Sequence, residues 1–167
     1  MRSFRLNSKI GRRGLILGSG ALALLRMARA RADEAAGEVF EVTHSPDEWR
    51  ALLGPDRYAV LREAATEPSG SSSLNNEHRA GTFDCAGCKL PLYASDAKFD
   101  SGTGWPSFTA PLPDAVKTRA DKGWIFTRTE VHCRRCGGHL GHVFDDGPAP
   151  TGKRYCMNGL ALTFTAA

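Results

Sequence analysis

Cys85-Ala-Gly-Cys88 and Cys133-Arg-Arg-Cys136 decide how this chain is read. Each CxxC can turn tightly enough to aim two sulfurs at one ion, with Gly87 and Gly137 placed to ease the turns. Two such pairs offer four thiolates, which close a tetrahedral zinc and leave no open position for a substrate. The expected site is one structural zinc on Cys85, Cys88, Cys133 and Cys136, tying residues 81–88 to a hairpin over residues 131–137. The competing readings are two redox CxxC motifs or two disulfides. A thioredoxin-like CxxC follows a strand and opens a helix. Gly87 and Pro91 oppose a helix at the first pair, and Gly137-Gly138 oppose one at the second.

Cys156 stands apart, in Arg154-Tyr-Cys156-Met-Asn158. A thiol left over after pairing is either buried and inert or reactive. On a strand, residues two apart share a face, so Arg154 and Asn158 stand with Cys156. A guanidinium there favours the thiolate, which is the nucleophilic form. Gly138-His139-Leu-Gly-His142-Val-Phe144 adds two histidines, the side chains best suited to deliver a proton near neutral pH. Gly141 permits close backbone approach, and Asp145-Asp146-Gly147-Pro148 forms a turn leading back toward Cys156. Ser101-Gly-Thr-Gly-Trp105-Pro-Ser-Phe108 holds an indole at a loop tip. Each feature has a bland reading by itself: a lone cysteine is commonly a small buried hydrophobe, paired histidines are surface residues or metal ligands, and a tryptophan is core. Their coincidence in polar, glycine-rich segments points to one site.

The N-terminus has a different character. Residues 1–32 hold eight basic residues and no acid, an apolar run over residues 15–25, and the tripeptides Ala28-Arg-Ala30 and Ala30-Arg-Ala32. That is the order of an export signal. The run is shorter than the ~20 residues that span a bilayer, so a cleaved signal is expected rather than an anchor. Arg12-Arg13 before the run resembles a twin-arginine signal, with Leu15 where such signals usually carry phenylalanine. The expected location is periplasmic. Removing this segment takes eight basic residues from the chain's 22 and leaves 14 against 18 acidic ones, a net charge of −4 in place of the full chain's +4. The basic character that would suggest nucleic acid belongs to the signal, and no nucleic-acid partner is expected. Folding before export would let zinc load in the cytosol and cross into an oxidising compartment intact.

Residues 33–44 read as a linker and 45–167 as one domain. Ser45-Pro46-Asp47-Glu48 is a helix start, with Ser as cap, Pro in first place and Glu three after the cap. Trp49, Leu52 and Leu53 share a helical face, Gly54 stops that helix, and a second one runs from Pro55 with Tyr58 and Leu61 inward. Residues 68–76 read as loop. After Gly81 the pattern changes to short strands, including residues 124–133 and the alternating Leu160, Leu162 and Phe164. The result is a short helical lead followed by an antiparallel β domain stapled by metal, large enough for one real core.

The segments together resemble the methionine-R-sulfoxide reductases of the MsrB type, over roughly residues 45–165. The matching stretches are residues 81–88, 98–108, 128–136, 139–148 and 154–158. The resemblance implies an all-β core of two antiparallel sheets, a structural zinc on the four paired cysteines, and reduction of the R epimer of methionine sulfoxide, a protein-repair activity against oxidative stress. It implies Cys156 as nucleophile on the sulfoxide sulfur. His142 with His139 would protonate or hydrogen-bond the leaving oxygen, and Asn158 would help hold it. Trp105, with Phe108 in the same turn, would bind the substrate, and Arg154 and Asp146 would tune and position Cys156. Many members carry a resolving cysteine where this chain has Thr103, so an external reductant is expected, a thioredoxin-like domain or a small thiol. The substrate is expected to be oxidised methionine in a protein or peptide, and the protein a monomer. The rival classes are a zinc-ribbon binding module and a Cys-His hydrolase on Cys156 and His142, which would need an oxyanion hole.

Overall fold

The structure is a computed structural model and describes residues 38–122 and 127–167. The expected export signal, residues 33–37 of the linker and residues 124–126 of the expected strand lie outside them. The helical lead is α1, Pro46–Glu63. Its capping box forms as the sequence predicts: Ser45 Oγ accepts from the Glu48 amide, and Glu48 accepts from the Ser45 amide at 2.8 Å. Such a cap contributes about 1 kcal/mol. Gly54 takes φ 70° and ψ 172°, outside the helical region, so α1 consists of two helices that meet at a kink before Pro55, as the sequence predicts. Trp49, Val60 and Leu61 are buried, whereas Leu52 faces out at 59 % exposure, correcting the expectation that it would share the inner face. Residues 40–44, expected as linker, are docked. The Val42 amide donates to the Arg135 carbonyl at 3.0 Å, and Phe40 meets His132 edge-on. The packed body begins at Phe40.

Among the described residues nine strands follow: β1 Gly81–Cys85, β2 Pro91–Ala94, β3 Lys98–Phe99, β4 Ser107–Phe108, β5 Val116–Lys122, β6 Thr127–Cys133, β7 His139–Phe144, β8 Arg154–Met157 and β9 Leu162–Ala166. They form two antiparallel sheets, β2-β1-β9 and β3-β4-β8-β7-β6-β5. Strand alternation sends Phe83 and Tyr93 of the small sheet and Phe108, Val131 and Met157 of the large one into a common core. Tyr93 stacks on Phe108 at 4.3 Å, Phe83 meets Phe108 edge-on at 5.0 Å, and the buried Tyr93 hydroxyl finds the Met157 sulfur at 3.1 Å.

The two knuckles are built alike. Lys89 N–H donates to the Cys85 carbonyl at 2.8 Å and Gly137 N–H to the Cys133 carbonyl at 2.9 Å. Cys85 N–H donates to Leu90 O and Cys133 N–H to Gly138 O, at 2.8 and 2.9 Å. Both turns return through a left-handed residue four places after the first cysteine, Lys89 at φ 60° and Gly137 at φ 68°. Gly87 therefore does not supply the special conformation in the first turn; Lys89 does. Because β1 and β6 belong to different sheets, the knuckles join the two sheets rather than the ends of one.

Candidate active site

Strand register assembles the site. Arg119, Glu130, His142, Cys156 and Ser107 are successive cross-strand partners on β5, β6, β7, β8 and β4, so they stand in one row across the large sheet. The neighbouring row pairs Asp121 with Arg128 and Phe144 with Arg154. The opposite face carries Val131, Tyr155 and Met157 toward the core.

A bulge makes the histidines neighbours. Val131 pairs with Gly141 but His132 with His139, so β7 carries one extra residue, Leu140. Residues three apart on a regular strand face opposite ways; the extra residue resets the alternation and brings the two imidazoles to 5.4 Å between ring centres. Gly141 is required beside it, since a Cβ there would lie 2.1 Å from the Cys156 carbonyl oxygen.

The two histidines differ in their surroundings. His142 lines a cleft of about 140 Å³ with Cys156, Trp105, Arg128, Phe144 and Asn158. Its Nε2 lies 2.8 Å from Asp121, which also accepts from Arg128. Burial pushes the imidazole's pKa down, and the Asp121 carboxylate opposes that only in part. His139 is buried and lines no part of the cleft. Its Nδ1 is 2.8 Å from Glu130, which also holds Arg119. Burial raises the Glu130 carboxyl, and Arg119 and His139 outweigh it, leaving the group below its usual range.

Arg154 is fixed by a bidentate pair with Asp146 at 2.8 and 2.7 Å and lies over the Phe144 ring. Asp146 holds the guanidinium's pKa up. Asp146 is exposed and touches the row only through Arg154. Asn158 is buried, with Oδ1 accepting from Glu67 N–H at 3.0 Å and Nδ2 donating to Leu140 O at 3.1 Å. The Trp105 indole donates to Glu67 O at 3.1 Å, which sets the ring against the cleft. Phe108 corrects the expectation that it binds substrate. Alternation along β4 gives Ser107 the Cys156 side, so Phe108 faces the core and is wholly buried.

Several residues of the site escaped sequence reasoning. Asp121 and Glu130 carried a signal, since Arg119-x-Asp121 and Arg128-x-Glu130 put charge at period two on adjacent strands. Glu67 carried none: its buried carboxylate accepts from Gly159 and Leu160 amides at 2.5 and 2.9 Å and organises the Asn158 loop from a distant segment. A second, roomier cavity, about 670 Å³ along α1, residues 71–74 and β9, is lined by neither Cys156 nor a histidine.

The four knuckle sulfurs lie within 4.8 Å of one another, with Cys85 and Cys136 at 3.7 Å and Cys88 and Cys133 at 3.5 Å. Zinc–sulfur bonds of about 2.3 Å in a tetrahedron place sulfurs about 3.8 Å apart. The donor set and its spacing fit zinc.

The SelR domain family matches residues 53–166. The chain belongs to that family. Proteins named peptide methionine sulfoxide reductase MsrB from Bradyrhizobium diazoefficiens, Herminiimonas arsenicoxydans and Pseudomonas putida are 55 %, 52 % and 52 % identical to it. The alignments cover 73 %, 75 % and 71 % of this chain and 88 %, 93 % and 90 % of those proteins. In this SelR-family chain the matched region contains all four knuckle cysteines and the whole Cys156 row.

Proposed function

We propose that this protein reduces the R epimer of methionine sulfoxide in oxidised proteins, with Cys156 as nucleophile. Family membership makes it an oxidoreductase of the methionine sulfoxide reductase class. The observation that carries the finer reading is the row itself: a half-buried thiol directly opposite an imidazole, in a cleft walled by an indole. The Cys156 thiolate attacks the sulfoxide sulfur, the sulfur–oxygen bond breaks, and the oxygen takes a proton. His142 is the group in place to deliver it. Water then bonds to the Cys156 sulfur and loses a proton, the sulfur–sulfur bond formed in the attack breaks, its electron pair leaves with methionine, and Cys156 ends as sulfenic acid, the first and reversible oxidation step. Trp105 offers a polarizable face to the S-methyl group, which supports selection of one epimer. Asn158 retains one amide hydrogen for the substrate oxygen, and Arg154, held by Asp146, stabilises the thiolate.

Thr103 occupies the turn beside Cys156, its Oγ1 3.9 Å from Sγ, and the other four cysteines contact one another. No internal thiol then resolves the sulfenic acid. An external thiol attacks it, releasing water and forming a mixed disulfide, and a second thiol frees Cys156. Turnover without reductant, followed by mass spectrometry, should give Cys156 sulfenic acid trapped by dimedone; an intramolecular Cys156 disulfide would contradict the cycle.

Cys85, Cys88, Cys133 and Cys136 would hold a zinc ion, which would act as a staple between the sheets. We also assign residues 1–32 as a twin-arginine export signal delivering the protein to the periplasm. Fusion of that segment to a reporter tests it: export should cease when Arg12-Arg13 becomes Lys-Lys, and unaffected export would reject the route.

A further inference from the structure

The Cys156 sulfur ends a chain of hydroxyls. Thr103 Oγ1 lies 3.9 Å from Sγ, Ser101 Oγ lies 2.8 Å from Thr103 Oγ1, and Ser107 Oγ lies 2.8 Å from Ser101 Oγ. Ser107, wholly buried and directly opposite Cys156 in register, then donates to the Trp105 carbonyl at 3.1 Å. A hydroxyl has one hydrogen to donate, so the carbonyl, which can only accept, fixes the direction of the whole chain. Ser107 gives its hydrogen to Trp105, Ser101 gives to Ser107, and Thr103 gives to Ser101. In that arrangement Thr103 presents a lone pair to sulfur, which suits the neutral thiol. A thiolate needs the Thr103 hydrogen itself. Keeping both 2.8 Å links then requires all three hydroxyls to rotate together, with the Trp105 carbonyl losing its donor.

We propose that Thr103, Ser101 and Ser107 form a rotating hydroxyl relay that answers the ionisation of Cys156 by turning a donor onto its sulfur. The relay moves no proton between residues and breaks no bond; it exchanges a neutral hydrogen bond at the carbonyl for a charge-assisted one at the thiolate, and charge-assisted bonds are about twice as strong. Thr103 is thus a positioning residue for the nucleophile. The inference rests on Cys156 being the reacting thiol.

Other charges face Cys156 from every side. Arg154 shares β8, His142 stands opposite on β7, Arg128 and Glu130 lie beyond it on β6, and Arg119 and Asp121 on β5. Asp146 pairs with Arg154, Glu67 lies under Asn158, and Asp100 caps the Gly102 amide of the turn. The test therefore changes only the hydroxyls and leaves these groups in place.

The experiment is the pH profile of Cys156 alkylation by iodoacetamide in the zinc-loaded full chain, read by peptide mass mapping. Thr103→Val removes the donor and should slow alkylation at pH 7 by about threefold or more while leaving the high-pH limit unchanged, because a hydrogen bond to the charged form favours that form. Thr103→Ala should move the profile the same way if Val packs poorly. Thr103→Ser keeps the hydroxyl and should overlay the wild type. Ser107→Ala removes the acceptor that draws the Ser101 hydrogen away, frees the chain to point at sulfur, and should speed alkylation at pH 7. Profiles for Thr103→Val and Thr103→Ala that superimpose on wild type would overturn the proposal. So would Thr103→Val and Ser107→Ala shifts of the same sign, the mark of a general disturbance. Alkylation reads the sulfur without turnover. Full activity in Cys156→Ser would discredit the nucleophile assignment while leaving the alkylation result to judge the relay.

Discussion

Cys156 sits between groups whose proton affinities are pulled apart by their surroundings. Arg154 is held firmly charged by Asp146, and His142 is held neutral near pH 7 by burial, with Asp121 restoring part of what burial removes. A neutral imidazole is the wrong form to give a proton, so if His142 is the acid, as proposed, the fraction ready to act rises as pH falls through its lowered pKa. Asp121→Asn removes the group that supports the charged form. The His142 midpoint, followed by NMR of its ring protons, should move further down, and activity at pH 7 should fall with it. An unmoved midpoint would disconnect Asp121 from the acid. His142→Ala should cost about 100-fold or more in kcat, the usual weight of a positioned acid, with little change in melting temperature. The Arg154–Cys156–Asn158 face was readable from spacing of two. The partners across the sheet were not, because register depends on turns and bulges that a single strand does not encode. Phe108 shows the cost: the Trp105 turn was legible, but which of Ser107 and Phe108 faces Cys156 follows only from the pairing of β4 with β8.

At the scale of elements, the β7 bulge and the two knuckles do most of the positioning. The bulge turns a spacing of three into a shared face, and Gly141 lets β8 pass within contact. Gly141→Ala places a methyl group against the Cys156 carbonyl, where backbone must give way. It should destabilise by about 1–3 kcal/mol, as overpacking does, and lower activity more than stability predicts, because β8 carries Cys156. Calorimetry and the sulfoxide assay separate the two effects; wild-type values in both would remove the bulge from the account. The helix start was legible because its signal is local: Ser45, Pro46 and Glu48 specify the cap by themselves. Glu67 was not, since its hydrogen bonds reach Gly159 and Leu160 across the whole domain.

For the whole molecule, the two sheets share one aromatic core around Phe83, Tyr93 and Phe108, and the four-sulfur cluster joins them at one end. The fold class was legible from the short-strand pattern and the family resemblance, and the clustering of Cys85, Cys88, Cys133 and Cys136 from CxxC spacing, whereas the sharing of strands between sheets was not. Cys88→Ser should abolish stoichiometric zinc and lower the melting temperature by roughly 10 °C or more, the scale of a lost metal staple in a domain this size. Elemental analysis and thermal unfolding check both. Absence of zinc from the wild-type protein would reduce the cluster to four free thiols.

Every side chain of the row bears on the proposed reaction at Cys156. Its most direct test is a stereospecific assay of the full chain on the separated R and S epimers of peptide methionine sulfoxide, with dithiothreitol as reductant and Cys156→Ser alongside. The expected result is reduction of the R epimer, no reduction of the S epimer, and no activity in the variant. Equal turnover of both epimers, or full activity without the Cys156 thiol, would contradict it.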